Sequence, residues 1–200
     1  MKQKHIVITI GCEYGSGGPE IGKMIAESFG IEYYNRDLVD KVVEKIGVKR
    51  ELVEQADTKS NVRYEYETKY GPRYANLTNR VIYTQFEVIQ KLAKKHSCVI
   101  IGRCSDYVLK DCKYCLNIFI YAPKEVRVQS VMEQNNVSEK EAEEMVKYND
   151  EQLHSRYKYI TGTHRGDRHN RHMMIDSSVL GWAKTAKYIE QLIDLRFEDQ

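Results

Sequence analysis

The stretch His5-Ile-Val-Ile-Thr-Ile-Gly-Cys-Glu-Tyr-Gly-Ser-Gly-Gly-Pro19 decides the architecture. Residues 5–10 are apolar and β-branched nearly throughout, without the alternation of a half-exposed strand. Such a run reads as a strand buried on both faces, as a parallel sheet requires. Gly11–Gly18 then turns the chain, and Pro19 suits a first helical turn. Ile21, Met24, Ile25 and Phe29 recur at helical spacing until Gly30 supplies a stop. Strand, glycine loop and helix form the βα unit of a doubly wound sheet, so the fold class is α/β.

The rest of the chain repeats that alternation. Ile31–Tyr34 reads as a second strand, with Leu38–Ile46 and Arg50–Ala56 as helices. Residues 57–76 are polar and rich in tyrosine (Tyr64, Tyr66, Tyr70, Tyr74); with the Gly71-Pro72 break they read as a mobile insertion. Val81–Lys95 predicts an amphipathic helix. Ser97–Ile101 and Cys115–Tyr121 predict buried strands, each followed by a helix. The capping box Ser138-Glu-Lys-Glu141 starts a helix that runs toward Tyr159. Met173–Asp176 is a last strand and Trp182–Phe197 a closing helix with an apolar core stripe. Five strands separated by helices give a mostly parallel sheet.

Two hundred residues fit one domain. With 42% hydrophobic and 30% charged residues the chain can fold around its own core. A net charge of +2 disfavours nucleic acid as the partner, because no polycationic surface is implied. No apolar run is long enough to span a membrane. Without a signal-peptide core the expected location is cytoplasmic, and five cysteines, an odd number, suggest free thiols there.

A glycine-rich turn between a buried strand and a helix start is an anion site, because its N–H groups point inward and the helix dipole adds positive potential. The full phosphate-loop pattern, Gly-x4-Gly-Lys-Ser/Thr, supplies a lysine for the outer phosphates and a hydroxyl for Mg²⁺. Here Gly18 stands where that lysine belongs, followed by Pro19 and Glu20. Gly15, Ser16, Gly17 and Gly18 remain the cradle, and Glu20 is a candidate metal ligand. The alternative is a turn that only packs strand against helix.

Ile8-Thr-Ile-Gly-Cys-Glu-Tyr-Gly-Ser-Gly-Gly-Pro-Glu-Ile-Gly22 resembles the opening of the cytidylate kinase-like family, a branch of the P-loop nucleoside-monophosphate kinases. Val99-Ile-Ile-Gly-Arg-Cys-Ser-Asp-Tyr-Val-Leu109 is similar to that family's Gly-Arg segment. Tyr157-Lys-Tyr-Ile-Thr-Gly162 and Met174-Ile-Asp-Ser-Ser178 follow in family order. The resemblance implies a three-layer P-loop kinase fold: a five-stranded parallel sheet of order 2-3-1-4-5, a helical acceptor-binding insertion and a lid. The core would comprise about 1–35, 81–135 and 172–200, the insertion about 36–80 and the lid about 150–171 of a single domain. It implies transfer of the ATP γ-phosphoryl group, with Mg²⁺, to a nucleoside monophosphate such as CMP or another small acceptor. Against the family pattern, Pro19 replaces an arginine and Leu153 replaces a lid arginine, with Arg156 one turn on. Arg165 stands where an aromatic is usual. A catalytically degenerate fold acting as a nucleotide sensor or interaction module is the alternative.

Phosphoryl transfer needs positioning and charge neutralisation more than covalent help. Arg103, directly after a strand, falls at the carboxyl edge of the sheet where ligands of open α/β folds bind. The resemblance gives it the acceptor phosphate. Asp106, one turn later, either orients Arg103 or contacts a base. The segment His164–His172 is the densest basic cluster, and a lid closing over polyphosphate would use such guanidiniums. Arg156, Arg165 and Arg168 are the catalytic candidates there, with Arg171 beside them. Arg36 and Asp37 either bind acceptor or, for Asp37, cap the helix that begins at Leu38. Asp176 either touches the donor base or caps the next turn. Lys23 is a distant substitute for the loop lysine. Arg63, Arg73 and Arg80 near the tyrosines could help hold a base. Cys112 and Cys115 read as ordinary buried thiols, since zinc would want a second pair.

Overall fold

The computed structural model describes residues 5–58 and 72–198, with side chains described for 5–54 and 77–198. The apolar run at the N-terminus is the central strand β1 (Val7–Cys12). It pairs in parallel with β3 (Cys98–Ile101) on one side and β4 (Cys115–Tyr121) on the other. The short β2 (Glu32–Tyr34) joins β3, and β5 (Met173–Asp176) joins β4. The five-stranded order is therefore β2-β3-β1-β4-β5, all parallel.

Each face of β1 enters a separate core. Ile6, Ile8 and Ile10 pack with Ile21 and Ile25 of α1 (Gly18–Phe29) and with Ile189, Ile193 and Phe197 of α8 (Gly181–Phe197). Val7 faces the other layer, where α2 (Asp37–Ile46) supplies Leu38, Val39 and Val42. Val53 of α3 (Arg50–Thr58) and Val81 and Ile89 of α4 (Pro72–Lys95) complete it. Two-sided burial explains why the strand carries no polar alternation. A short α5 (Ser105–Val108) follows β3. A hairpin of α6 (Lys124–Asn135) and α7 (Glu139–Thr161) closes on its own small cluster of Val128, Val131, Ala142 and Val146.

Most element boundaries agree with the sequence reading. The capping box forms, with Ser138 Oγ accepting the Glu141 N–H and Glu141 Oε2 accepting the Ser138 N–H at 2.9 Å. Two expectations need correction. The supposed irregular insertion at 57–76 is helical at both ends, because α3 runs to Thr58 and α4 begins at Pro72. Residues 59–71, with Arg63, Tyr64, Tyr66 and Tyr70, lie outside the described residues. Asp37 does not cap α2 forward from an N-cap position. It is the first helical residue, and its carboxylate accepts the Asn35 N–H at 2.7 Å, closing the turn behind it.

Candidate functional site

The loop from Cys12 to Gly18 sits at the carboxyl end of the central strand. Gly15 and Gly17 hold φ of 82° and 81°, a left-handed conformation that glycine adopts without strain. A side chain would not fit at either position. A Cβ on Gly15 would lie 2.7 Å from the Arg127 carbonyl oxygen, and one on Gly17 would lie 2.3 Å from the Trp182 indole nitrogen. The Ser16 hydroxyl donates to the Glu13 carbonyl at 2.8 Å and lies 3.2 Å from that of Ile120, so it is committed inside the loop. Among the described residues, the N–H groups of Gly15, Gly17, Gly18 and Glu20 find no protein acceptor. Four open donors at a helix start form an anion cradle.

Facing the same sheet edge is a crowd of guanidinium groups. After β3 the chain takes three successive left-handed residues, Gly102, Arg103 and Cys104, with φ of 62°, 58° and 55°. For the two that carry side chains this conformation costs about 1–3 kcal/mol each, strain that clusters at functional positions. Burial pushes Arg103 down to about 10, and the neighbouring charges of Arg156 and Arg36 push the same way. Arg156 of α7 is buried and donates to Gln85 Oε1 at 3.0 Å. Burial also lowers its pKa.

Two further arginines come from the segment after α7. Arg165 donates to the Cys12 carbonyl at the end of β1, with its guanidinium 5.7 Å from the Phe119 ring centre. Its pKa is depressed, chiefly by burial of the guanidinium, although the residue as a whole is partly exposed. Arg171 Nη1 pairs with Asp106 Oδ2 at 2.5 Å, and its Nη2 donates to the Arg165 carbonyl at 3.0 Å. Its guanidinium covers Phe119 and Tyr157. The Tyr157 hydroxyl completes the set by donating to Asp106 Oδ2 at 2.6 Å. Cys104 lies among Arg156, Arg165, Arg171 and Asp106, and burial raises its thiol to about 12. The buried Asp106 carboxylate thus binds one of these guanidiniums, that of Arg171, and the Tyr157 hydroxyl. Desolvation disfavours the charged forms of Arg103, Arg156 and Arg165, and a bound anion would offset that cost.

Among the sequence candidates, Gly15–Gly18, Arg103, Asp106, Arg156 and Arg165 gather at this edge. Asp106 binds Arg171 and Tyr157. Arg36, at the N-cap of α2, is exposed but close enough to depress Arg103. Glu20 is partly exposed in the first turn of α1 and forms no hydrogen bond or ion pair among the described residues. Arg168 does not join the cluster. It is exposed in a 3₁₀ turn that Asp167 caps by accepting the His169 N–H at 2.9 Å. Asp176 caps the following turn by accepting from the Ser178 N–H and hydroxyl. Lys23 faces away in an exposed pair with Glu27. Arg80 is exposed, and the side chains of Arg73 and Tyr74 lie outside those described. Burial raises the Cys115 thiol above its ordinary range, as for a core thiol. Among the described residues no three His, Cys, Asp or Glu side chains gather as a metal site.

Sequence reasoning missed the group behind the loop. Arg127 donates through Nη1 to the Tyr14 carbonyl at 3.1 Å and pairs with Asp150 at 2.5 Å. Its Nε donates to the Ala122 carbonyl at 3.0 Å and lies 3.3 Å from Glu13 Oε2. Asp150 Oδ1 accepts the Tyr14 N–H at 3.0 Å. Arg127 and Asp150 sit in the acidic run of α6 and α7, where a solvated face is the ordinary reading; the signal was an arginine in the first helical turn after a strand.

A family model described as cytidylate kinase-like matches residues 7–179. The chain is 25% identical over 160 residues to a cytidylate kinase of Pyrococcus horikoshii, covering 80% of this chain and 72% of that one. Among solved structures, an uncharacterised protein from Eubacterium ventriosum superposes with a TM-score of 0.73 at 26% identity, over 96% of this chain and 99% of the other. A gluconokinase from Sinorhizobium meliloti superposes with a TM-score of 0.58 at 12% identity, over 98% and 95%. The sheet order and the layers are those of the P-loop kinase fold. Among the described residues no helix is long and apolar enough to cross a membrane.

Proposed function

Because the chain belongs to the cytidylate kinase-like family, we propose that it transfers the γ-phosphoryl group of ATP to a nucleoside monophosphate, CMP first among them. What carries the reading is the juxtaposition of four open loop amides with the buried guanidinium cluster at one sheet edge. The amides of Gly15, Gly17, Gly18 and Glu20 hold the donor phosphates. Arg103, with Arg156 and Arg36 beside it, holds the acceptor phosphate. Arg165 and Arg171 lie between the end of β1 and Asp106, where charge develops on the transferred group. Tyr157 and Phe119 wall this space and help exclude water.

The residues present suit a magnesium nucleotide. Mg²⁺ keeps several waters and needs only one or two carboxylates besides substrate phosphates, which Glu20 at the loop can supply. Bound there, the ion would neutralise charge shared between the outer phosphates. Ser16 is buried inside the loop whereas Glu20 is partly exposed, so the ion's protein contact would fall to the Glu20 carboxylate. Arginines in the lid segment do the work that a loop lysine does in the full motif.

Thermal-shift screening against nucleoside mono- and triphosphates, with and without Mg²⁺, tests the reading when followed by a coupled ADP-release assay. The expected result is stabilisation by ATP and CMP, with CMP-dependent ADP release. Trp182, the chain's one tryptophan, lies against Gly17 and gives a direct fluorescence signal for donor binding. Stabilisation without ADP release for any acceptor would reduce the protein to a nucleotide binder.

A further inference from the structure

A phosphate loop without its lysine binds through peptide dipoles alone, so the aim of each N–H decides its affinity. A trans peptide points its C=O and its N–H in opposite directions, and this chain has no cis peptide bond among the described residues. Whatever grips a loop carbonyl from outside therefore aims the next residue's N–H inward. Two loop carbonyls are gripped in this way. The Tyr14 carbonyl accepts from Arg127 Nη1 at 3.1 Å, which turns the Gly15 N–H away from α6. The Ser16 carbonyl accepts from the Ser177 hydroxyl at 2.7 Å, which turns the Gly17 N–H away from the end of β5. Gly15 and Gly17 are two of the four residues whose N–H groups have no acceptor among the described residues.

We propose that Arg127 and Ser177 are the positioning residues of the donor site, holding two loop peptides so that the Gly15 and Gly17 amides meet the donor's phosphates. Neither side chain touches the nucleotide; both act through the backbone. Glycine at 15 and 17 makes the device necessary, because residues without a Cβ leave the flanking peptides free to rotate. Arg127 is itself fixed by Asp150 and Glu13, its side chain 10% exposed against 29% and 33% for theirs. Asp150 also takes the Tyr14 N–H, so both ends of residue 14 are held by one ion pair between α6 and α7. The lid helix α7 thereby reads the shape of the loop. Ser177 anchors the opposite side from the segment between β5 and α8, its hydroxyl also 3.3 Å from the Tyr121 carbonyl.

This inference rests on the kinase reading and goes beyond it, because it makes donor affinity depend on residues outside the cradle. Its test uses the full chain with ATP–Mg²⁺ and inorganic tripolyphosphate as donor probes and CMP as the acceptor probe. Binding is followed by Trp182 fluorescence and calorimetry, with the melting temperature recorded for each variant. Ser177→Ala should weaken both donor probes at least about threefold, and Arg127→Ala at least about tenfold. CMP affinity should stay within about twofold, and Arg127→Lys should recover part of the loss. Should Arg127→Ala fail to fold, Ser177→Ala and Asp150→Asn carry the comparison. Folded variants that bind donor as tightly as wild type, or lose CMP and donor affinity equally, overturn the positioning role. A wild-type chain that binds neither ATP nor tripolyphosphate overturns the kinase reading as well.

Discussion

The glycine loop and the segment from Arg156 to Arg171 meet at one sheet edge and present positive potential there by opposite means. The loop offers no charge of its own: its donors are peptide N–H groups, fixed by glycine conformation and outside grips. The segment offers full positive charges on long side chains, Arg165 and Arg171 packed against rings and carbonyls and Arg171 paired with Asp106. Peptide dipoles carry no net charge to desolvate when the site is empty, so they cost less to keep in place than buried ions. Buried guanidiniums bear that cost, as the depression of Arg103, Arg156 and Arg165 indicates. A substrate anion relieves that cost, so binding energy and stability should trade against each other on the cationic side only.

Arg103 gives the largest separation of the two regions. Arg103→Met should lower kcat/KM by about 10²–10³, the loss expected when one charge-stabilising donor leaves an active site. The melting temperature of the ligand-free protein should hold or rise, because a desolvated cation has been removed. The sign follows from the shift: with its folded value lowered to about 10 from 12.5, the guanidinium opposes folding at every pH below that window. Sulfate should raise the melting temperature of wild type more than that of the variant. A variant both less stable and fully active would reverse the comparison.

Gly15→Ala probes the dipolar side and should show the opposite coupling. Its Cβ would meet the Arg127 carbonyl at 2.7 Å with φ at 82°, and backbone cannot yield cheaply. A loss of about 1–3 kcal/mol is expected from the strained conformation and the clash. Denaturant melts should show that loss together with weaker ATP binding. Stability and donor affinity falling together here, but parting company at Arg103, would confirm two different devices.

How much of this was legible beforehand differs between the regions for a physical reason. Backbone devices write themselves locally: an apolar run followed by Gly15, Gly17 and Gly18 announces strand, turn and helix start. The cluster depends on which side chains of distant elements meet. Arg156 finds Gln85 on α4, and Arg171 finds Asp106 on α5. No local spacing carries those meetings. Arg168 and Arg165 look alike in sequence, yet the Asp167-capped turn exposes one while the other reaches β1. Arg127 was hidden for a similar reason, since Asp150 lies 23 residues on, in another helix, and Glu13 lies far back in the loop after β1.

The smallest expected effect lies where the segment after α7 folds back on that helix. The ring of His154 on α7 lies against that of His164, tilted by 55° with ring centres 4.0 Å apart. Burial lowers the His154 pKa first, and the nearby His164, Lys158 and Arg165 add to the fall. A histidine whose folded value lies below its unfolded 6.5 binds fewer protons in the folded state. Stability then declines as pH falls from about 6.5 through the lowered value, and is unaffected by this group above 6.5. His154→Gln removes the titration and should flatten that decline below pH 6.5, read as melting temperature against pH. Because the loop amides do not titrate, donor binding at its own pocket should not gain a matching pH dependence from this pair. If the same substitution also flattens the pH profile of ATP affinity, the cationic segment and the dipolar loop are coupled more tightly than their separate designs require. The Asp150–Tyr14 contact on the same helix is then the connection to cut next.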